Sequence, residues 1–204
     1  MKIMDTIYIV KKGAFSESDA WKTTLEEIHK AIRGVVWPDD KKGLYFKTGS
    51  TGKGRGQGNG VKLLSKKFQE KIKELGWNLE TRVKISKEIR VGRIDATKTI
   101  STEGIVAVEW ETGNVSSSHR SMNKLAIAIM NNSILAGIVI MPNRSMYKFL
   151  TDRIGNLKEI EPYFQLWQSI QTDEGILAII PIEHDGVKDD VPRIPKGTNG
   201  LANP

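Results

Sequence analysis

The sequence predicts an α/β or α+β fold, a β-sheet covered on both faces by helices. Three observations lead there. Apolar, β-branched runs at Ile105 to Val108, Ile134 to Met141 and Gly175 to Ile182 have the composition of buried strands. Stretches with apolar residues at helical spacing alternate with them, marked by Trp21, Leu25, Ile28 and Ile32, then by Leu64, Phe68 and Ile72, then by Met122, Leu125 and Ile129. A chain of 204 residues, 39% hydrophobic and 27% charged, suits one domain over residues 1–204.

Composition narrows the chemistry. With no cysteine, disulfides, thiolate catalysis and cysteine-based zinc are excluded. The apolar runs fall far below the ~18 residues of a membrane span, and the N-terminal stretch lacks a signal peptide's apolar core, so no membrane partner and a cytoplasmic location are expected. Lysine and arginine number 31 against 24 acids, a net charge of +7 that favours a polyanionic partner.

In order, Met1 to Val10 reads as a first strand and Ser16 to Arg33 as a helix that Ser16 or Ser18 can cap. Trp21 and Trp37 suit the core. The Gly-rich segment from Thr48 to Gly60 fails both requirements of a phosphate-binding P-loop. It is a surface loop, or a basic flap that meets a nucleic-acid backbone through Lys53 and Arg55. Val61 to Leu75 is an amphipathic helix with Lys62 and Lys66 one turn apart, and Glu80 to Arg90 alternates as an exposed hairpin would.

Val91 to Asp95 reads as a short strand ending in an acid, and a turn near Ser101 to Gly104 would fold it against the Ile105–Val108 strand. That second strand ends in Glu109 and Glu111, which point the same way because strand side chains alternate. A break at Thr112-Gly113-Asn114 follows, and Ser116-Ser117-Ser118 offers caps for a helix to Met130. Three acids between apolar flanks make an all-oxygen site suited to Mg²⁺; the alternative is a solvent-facing charged sheet. A helix start beside them favours a phosphate.

Further on, Ile134 to Met141 is a buried strand stopped by Pro142, Arg144 to Leu150 reads as helical, and Thr151-Asp152-Arg153 is a junction. Leu157 to Trp167 reads as one helix, Gly175 to Ile182 as a last strand, and residues from His184 as a tail with little core. His29, His119 and His184 are scattered and form no recognisable catalytic set.

The run VEWETGNVSSSHRSMNKL, followed by IVIMP, FLTDR, EPYF and VPRIPKGTNG, resembles the BamHI family of type II restriction endonucleases. The likeness is strong from Val106 to Gly200 and thinner, but still ordered, before it. It implies a PD-(D/E)xK core, a mixed sheet flanked by helices, acting as a homodimer on palindromic duplex DNA with Mg²⁺. It further implies cleavage of GGATCC after the first G, leaving 5′ overhangs.

Carried over by motif, the resemblance makes Asp95 and Glu109 metal ligands and Glu80 a contact to a second metal. Glu111, standing where the wider superfamily has lysine, would position or deprotonate the attacking water. Lys62, or Lys66 as second choice, would be the active-site lysine. Asn114, Ser116, Arg120, Asp152 and Arg153 would read bases, in keeping with the fit of arginine to guanine and asparagine to adenine. Arg144 would meet phosphate, and Lys196, Gly197, Thr198 and Asn199 would belong to a C-terminal arm over residues 185–204 that enters the minor groove. The helices at 116–130 and 157–167 would form the dimer contact. The competing readings are a nuclease of the same fold with another target, and a sequence-specific regulator that binds DNA without cutting.

Overall fold

The computed structural model describes residues 1–54, 57–84, 92–100, 104–151 and 153–196. A seven-stranded mixed sheet forms its centre. β1 (Lys2–Ile3) and β2 (Ile7–Lys12) both lie antiparallel to β8 (Gly175–Glu183). From β8 the sheet continues in parallel through β7 (Ala136–Pro142) and β6 (Gly104–Trp110), then antiparallel through β5 (Ile94–Ile100) and β4 (Asn78–Thr81). β7 and β8 are buried at every position, as continuous apolar runs in a sheet covered on both faces must be.

Alternation along β6 divides the core in two. Val106, Val108 and Trp110 join the layer of α1 (Asp19–Arg33) and α2 (Lys62–Glu74), where Phe68 stacks on Trp110 with ring centroids 4.8 Å apart. Ala107 belongs to the opposite layer, with Met122, Leu125 and Ile129 of α3 (Val115–Met130). Glu109, two residues beyond Ala107, falls on the α3 face by the same alternation. α1 begins where Ser18 accepts from the Trp21 N–H, a cap that contributes about 1 kcal/mol.

Several sequence expectations are corrected. The first strand is interrupted, because Met4 to Thr6 leave the ladder between β1 and β2. β5 begins just before Asp95 rather than ending there; it runs on to Ile100 and pairs with β6. β4 takes in Glu80 and pairs with β5 at the sheet edge, while residues 85–90 of the hairpin expected over Glu80 to Arg90 lie outside the described residues. The expected helix from Leu157 to Trp167 is split into α5 (Leu157–Ile160), a 3-10 turn at Glu161–Tyr163 and α6 (Phe164–Gln168). Pro162 has no N–H to continue the ladder. α4 is a single turn, Arg144–Tyr147.

The tail also has a core. β9 (Gly186–Lys188) pairs in parallel with β3 (Tyr45–Lys47), and Val191 and Ile194 are buried. Asn59 is fully buried among three segments: its Nδ2 donates to the Phe149 carbonyl at 2.9 Å, and its Oδ1 accepts from the Ile194 N–H at 2.9 Å. The Gly-rich segment, the end of α4 and the start of the arm thus share one buried amide. No helix among the described residues is long and apolar enough to cross a membrane.

Candidate active site

The site lies where β5, β6 and α3 meet. Ala96 pairs with Val108, which sets Asp95 and Glu109 side by side on neighbouring strands. Asp95 Oδ2 accepts from the Trp110 N–H at 2.8 Å. Glu109 is buried, and Lys124 reaches it from α3, its Nζ 2.5 Å from Glu109 Oε1 and 2.6 Å from the Arg93 carbonyl. Both carboxyl groups bind protons more tightly than usual. For Glu109, burial is the chief cause, reinforced by the Asp95 charge and opposed by Lys124, and the result is a pKa of about 7. Asp95 is raised by burial, and the charges of Glu80 and Glu111 add to it while the Trp110 N–H and Lys124 oppose it. Four acids therefore act electrostatically on one spot.

Glu111 is held differently. Its Oε1 accepts from the Gly113 N–H at 2.7 Å and from Ser117 Oγ at 2.9 Å, while Oε2 accepts from Ser121 Oγ at 2.9 Å. The serines were expected as helix caps, but the cap of α3 is Asn114, which accepts from the Ser117 N–H at 2.9 Å. Ser117 and Ser121, one turn apart on the face that meets β6, instead fix a buried carboxylate. Both acids of the Glu109-Glu111 pair thus engage α3, as two residues on one strand face should.

This donor set suits a divalent cation. Two hard carboxylates lie side by side in a charge-crowded corner, and one of them, Glu109, already holds a cationic group, the Lys124 ammonium. As arranged, no three Asp, Glu or His side chains among the described residues converge into a metal cage. Asp95 and Glu109 are the two that come together. Glu80, at a strained positive φ of 50°, is exposed and reaches Asp95 through its field.

The remaining candidates fall into two groups. Ser116 and Arg120 line a groove of about 660 Å³ along α3, together with Arg93, His119, Asn123 and Lys124. Asn114 and Arg120 are exposed at the start of the same helix. Arg153, also exposed and with φ 68°, approaches this helix start, because the Gly155 N–H donates to the Gly113 carbonyl at 2.7 Å. Arg144 stacks on the Tyr147 ring at 4.7 Å and borders a second hollow with Lys53 and Lys148. Lys62 is exposed at the start of α2 and makes no ion pair among the described residues, while Lys66 faces Glu70 at 3.7 Å. Lys196 is exposed beyond the buried Ile194. Asp152, Gly197, Thr198 and Asn199, like Arg55 of the Gly-rich segment, lie outside the described residues.

Lys124 is the site residue that sequence reading missed. A signal existed, since it lies one turn beyond Arg120 on a helix that starts beside the acids.

Comparisons with known proteins bear on the family and the fold. A family model described as restriction endonuclease BamHI matches residues 1–201. The chain is 42% identical over 178 residues to the type II restriction enzyme OkrAI of Oceanobacter kriegii, covering 87% of this chain and 88% of the relative. It is 40% identical over 97 residues to the type II restriction enzyme BamHI of Bacillus amyloliquefaciens, covering 48% of this chain and 43% of that one. In structure it is similar to the restriction endonuclease BglII crystallised with a DNA 16-mer, with a TM-score of 0.62 and 12% identity, covering 93% of this chain and 78% of that one. At that identity the likeness speaks for the fold, a restriction-endonuclease fold with a mixed sheet between helices. With paired acids on the neighbouring strands β5 and β6, an exposed helix start beside them and a family match along nearly its whole length, the chain belongs to the BamHI family of type II restriction endonucleases, enzymes that are site-specific deoxyribonucleases.

Proposed function

We propose that this endonuclease cuts duplex DNA at G^GATCC as a homodimer, by Mg²⁺-dependent hydrolysis that leaves 5′ overhangs. The observation that carries the reading is the adjacency of the Asp95–Glu109 pair to the Asn114, Ser116 and Arg120 end of α3. One helix start thereby joins the chemistry to the bases.

Phosphodiester hydrolysis needs an activated water and a neutralised leaving oxygen, and a bound Mg²⁺ supplies charge for both. Asp95 and Glu109 are the residues that would hold it, with Glu80 on the same charged rim. Glu111, clamped by three hydrogen bonds, would orient the water and take its proton. Lys62, exposed at the start of α2, is assigned to the scissile phosphate.

Arg120 and Arg153 are assigned to guanine, Asn114 to adenine and Asp152 to cytosine N4, with Ser116 as a smaller contact. Arg144 is assigned to the phosphate backbone, and Lys196 to Asn199 to the minor groove. The exposed apolar side chains of Met130, Tyr163 and Leu166, on α3 and the 157–168 segment, support the dimer assignment. Two copies would then mirror a palindrome.

Incubation of the purified protein with a mapped plasmid, in Mg²⁺ and in EDTA, followed by sequencing of the fragment ends, tests the whole reading. Mg²⁺-dependent ends at G^GATCC are expected. Ends at another sequence would overturn the base assignments. Specific binding with no cleavage in any divalent metal would overturn the Mg²⁺-dependent mechanism.

A further inference from the structure

Lys124, a cation on the wall of the groove along α3, has no part in the proposed chemistry. Lys124 is deeply placed, its side chain 10% exposed against 7% for Glu109. Its ammonium bridges Glu109 Oε1 and the Arg93 carbonyl, and so joins α3 to the segment leading into β5 and Asp95. Those contacts put a positive charge among oxygens of the kind a divalent cation would seek. A buried carboxylate crowded by Asp95 and Glu111 requires such a partner. The same side chain borders the open groove with Ser116 and Arg120, so its stem has room to swing outward.

We propose that Lys124 is a resident counter-ion that positions Glu109 before a metal arrives and is displaced into the groove when a divalent cation takes its place. The inference rests on the assignment of Asp95 and Glu109 as metal ligands. Its consequence is an exchange: the site gives up a tethered monovalent charge for a free divalent one, and the released ammonium joins the positive lining that faces the DNA. Lys124 is a positioning residue in this scheme, acting through Glu109.

The test uses the full chain and CaCl₂ as the probe. Lysines are acetylated with limiting reagent at increasing Ca²⁺ and read by mass spectrometry, while calorimetry measures Ca²⁺ binding to the wild type and to Lys124→Met. The expected result is a Lys124 that is protected without metal and labelled several-fold faster with it, with a midpoint matching the calorimetric one. Lys124→Met, with no cation to displace, binds Ca²⁺ roughly tenfold tighter, and Lys124→Arg restores the wild-type affinity. A lysine that remained beside the bound ion would also weaken metal binding, but it would gain no reactivity. Unchanged labelling at saturating Ca²⁺ therefore overturns the displacement, and it is read on the wild type, whose folding is not in question. Failure of Ca²⁺ and Mn²⁺ to bind at all, even with duplex DNA present, would instead overturn the metal assignment beneath it.

Discussion

The Trp110 N–H donates to Asp95 Oδ2 at 2.8 Å, so the strand that carries Glu109 also holds the acid on the strand beside it. The two carboxylates are therefore spaced by the β5–β6 ladder rather than by flexible side chains. Asp95→Asn keeps an acceptor for that N–H, and Glu109→Gln keeps the side chain's shape. Each should lower cleavage about a thousandfold, the equivalent of several kcal/mol of lost charge stabilisation. DNA binding measured by gel shift in EDTA should survive in both.

The high affinity of Glu109 for its proton gives the metal-free protein a defined pH dependence. With a folded pKa of about 7 against an ordinary 4.5, the native state keeps a proton that the unfolded chain has already lost. Stability in EDTA should fall as pH rises from 4.5 through 7, by up to about 3 kcal/mol from this group. Urea unfolding across that range should show the slope in the wild type and a shallower one in Glu109→Gln, where only the raised Asp95 contributes from this pair. Divalent-ion affinity should run the other way and strengthen as pH rises through 7.

Ser121 is buried and its hydroxyl meets Glu111 Oε2. Ser121→Ala would leave that oxygen without its donor, costing about 1–3 kcal/mol of stability. Cleavage should slow by at least about tenfold if Glu111 must be held to orient water, on the scale of one lost polar contact. Urea denaturation and single-turnover cleavage measure the two effects separately.

The proposed guanine contact of Arg120 makes recognition separable from general affinity. Arg120→Ala should weaken binding to GGATCC by about 1–3 kcal/mol, the value of one bidentate guanine contact. Binding to unrelated duplex should change far less. Competition binding at fixed salt is the measurement, because backbone affinity depends on salt.

Gly137 tests how closely α3 must sit on the sheet. A Cβ there would stand 2.7 Å from Leu125 Cβ, next to the residue that holds Glu109. Gly137→Ala should cost about 1–3 kcal/mol through overpacking. It should also disturb the Lys124–Glu109 contact, visible as a changed pH slope in the unfolding experiment.

Much of this was legible in the sequence because the decisive parts are close in the chain. Glu109, Glu111 and the start of α3 lie on one strand–turn–helix unit, whose alternation and break residues can be read locally. The family resemblance then supplied roles that spacing alone left open. What escaped depended on packing across the sheet. Lys124 reaches Glu109 only because α3 crosses back over β6; its place one turn beyond Arg120 hints at the helix face but does not disclose that approach. The three-residue parallel pairing of β3 with β9 joins segments about 140 residues apart and has no local signature. Asp95 was placed at the end of a strand because the apolar residues stop there, yet pairing with β6 carries β5 on through polar Thr97 and Lys98. The break at Pro162 was the opposite case: its cause was visible, and the apolar spacing around it masked it.

Under the proposed assignment of the arm and Arg144 to DNA, Asn59 has a consequence for how the duplex is let go. One side chain bonds the Phe149 carbonyl and the Ile194 N–H, while the Thr151 N–H donates to its carbonyl at 2.9 Å. Three stretches distant in sequence are thereby latched at a single point with no solvent to replace a lost bond. Breaking any one leaves buried polar groups stranded, so the stretches gain little by loosening singly and should open as one cooperative unit. Amide exchange at Gly60, Thr151 and Ile194 should share one opening rate. Release of the duplex would then be a concerted unlatching rather than a sequence of separate small escapes.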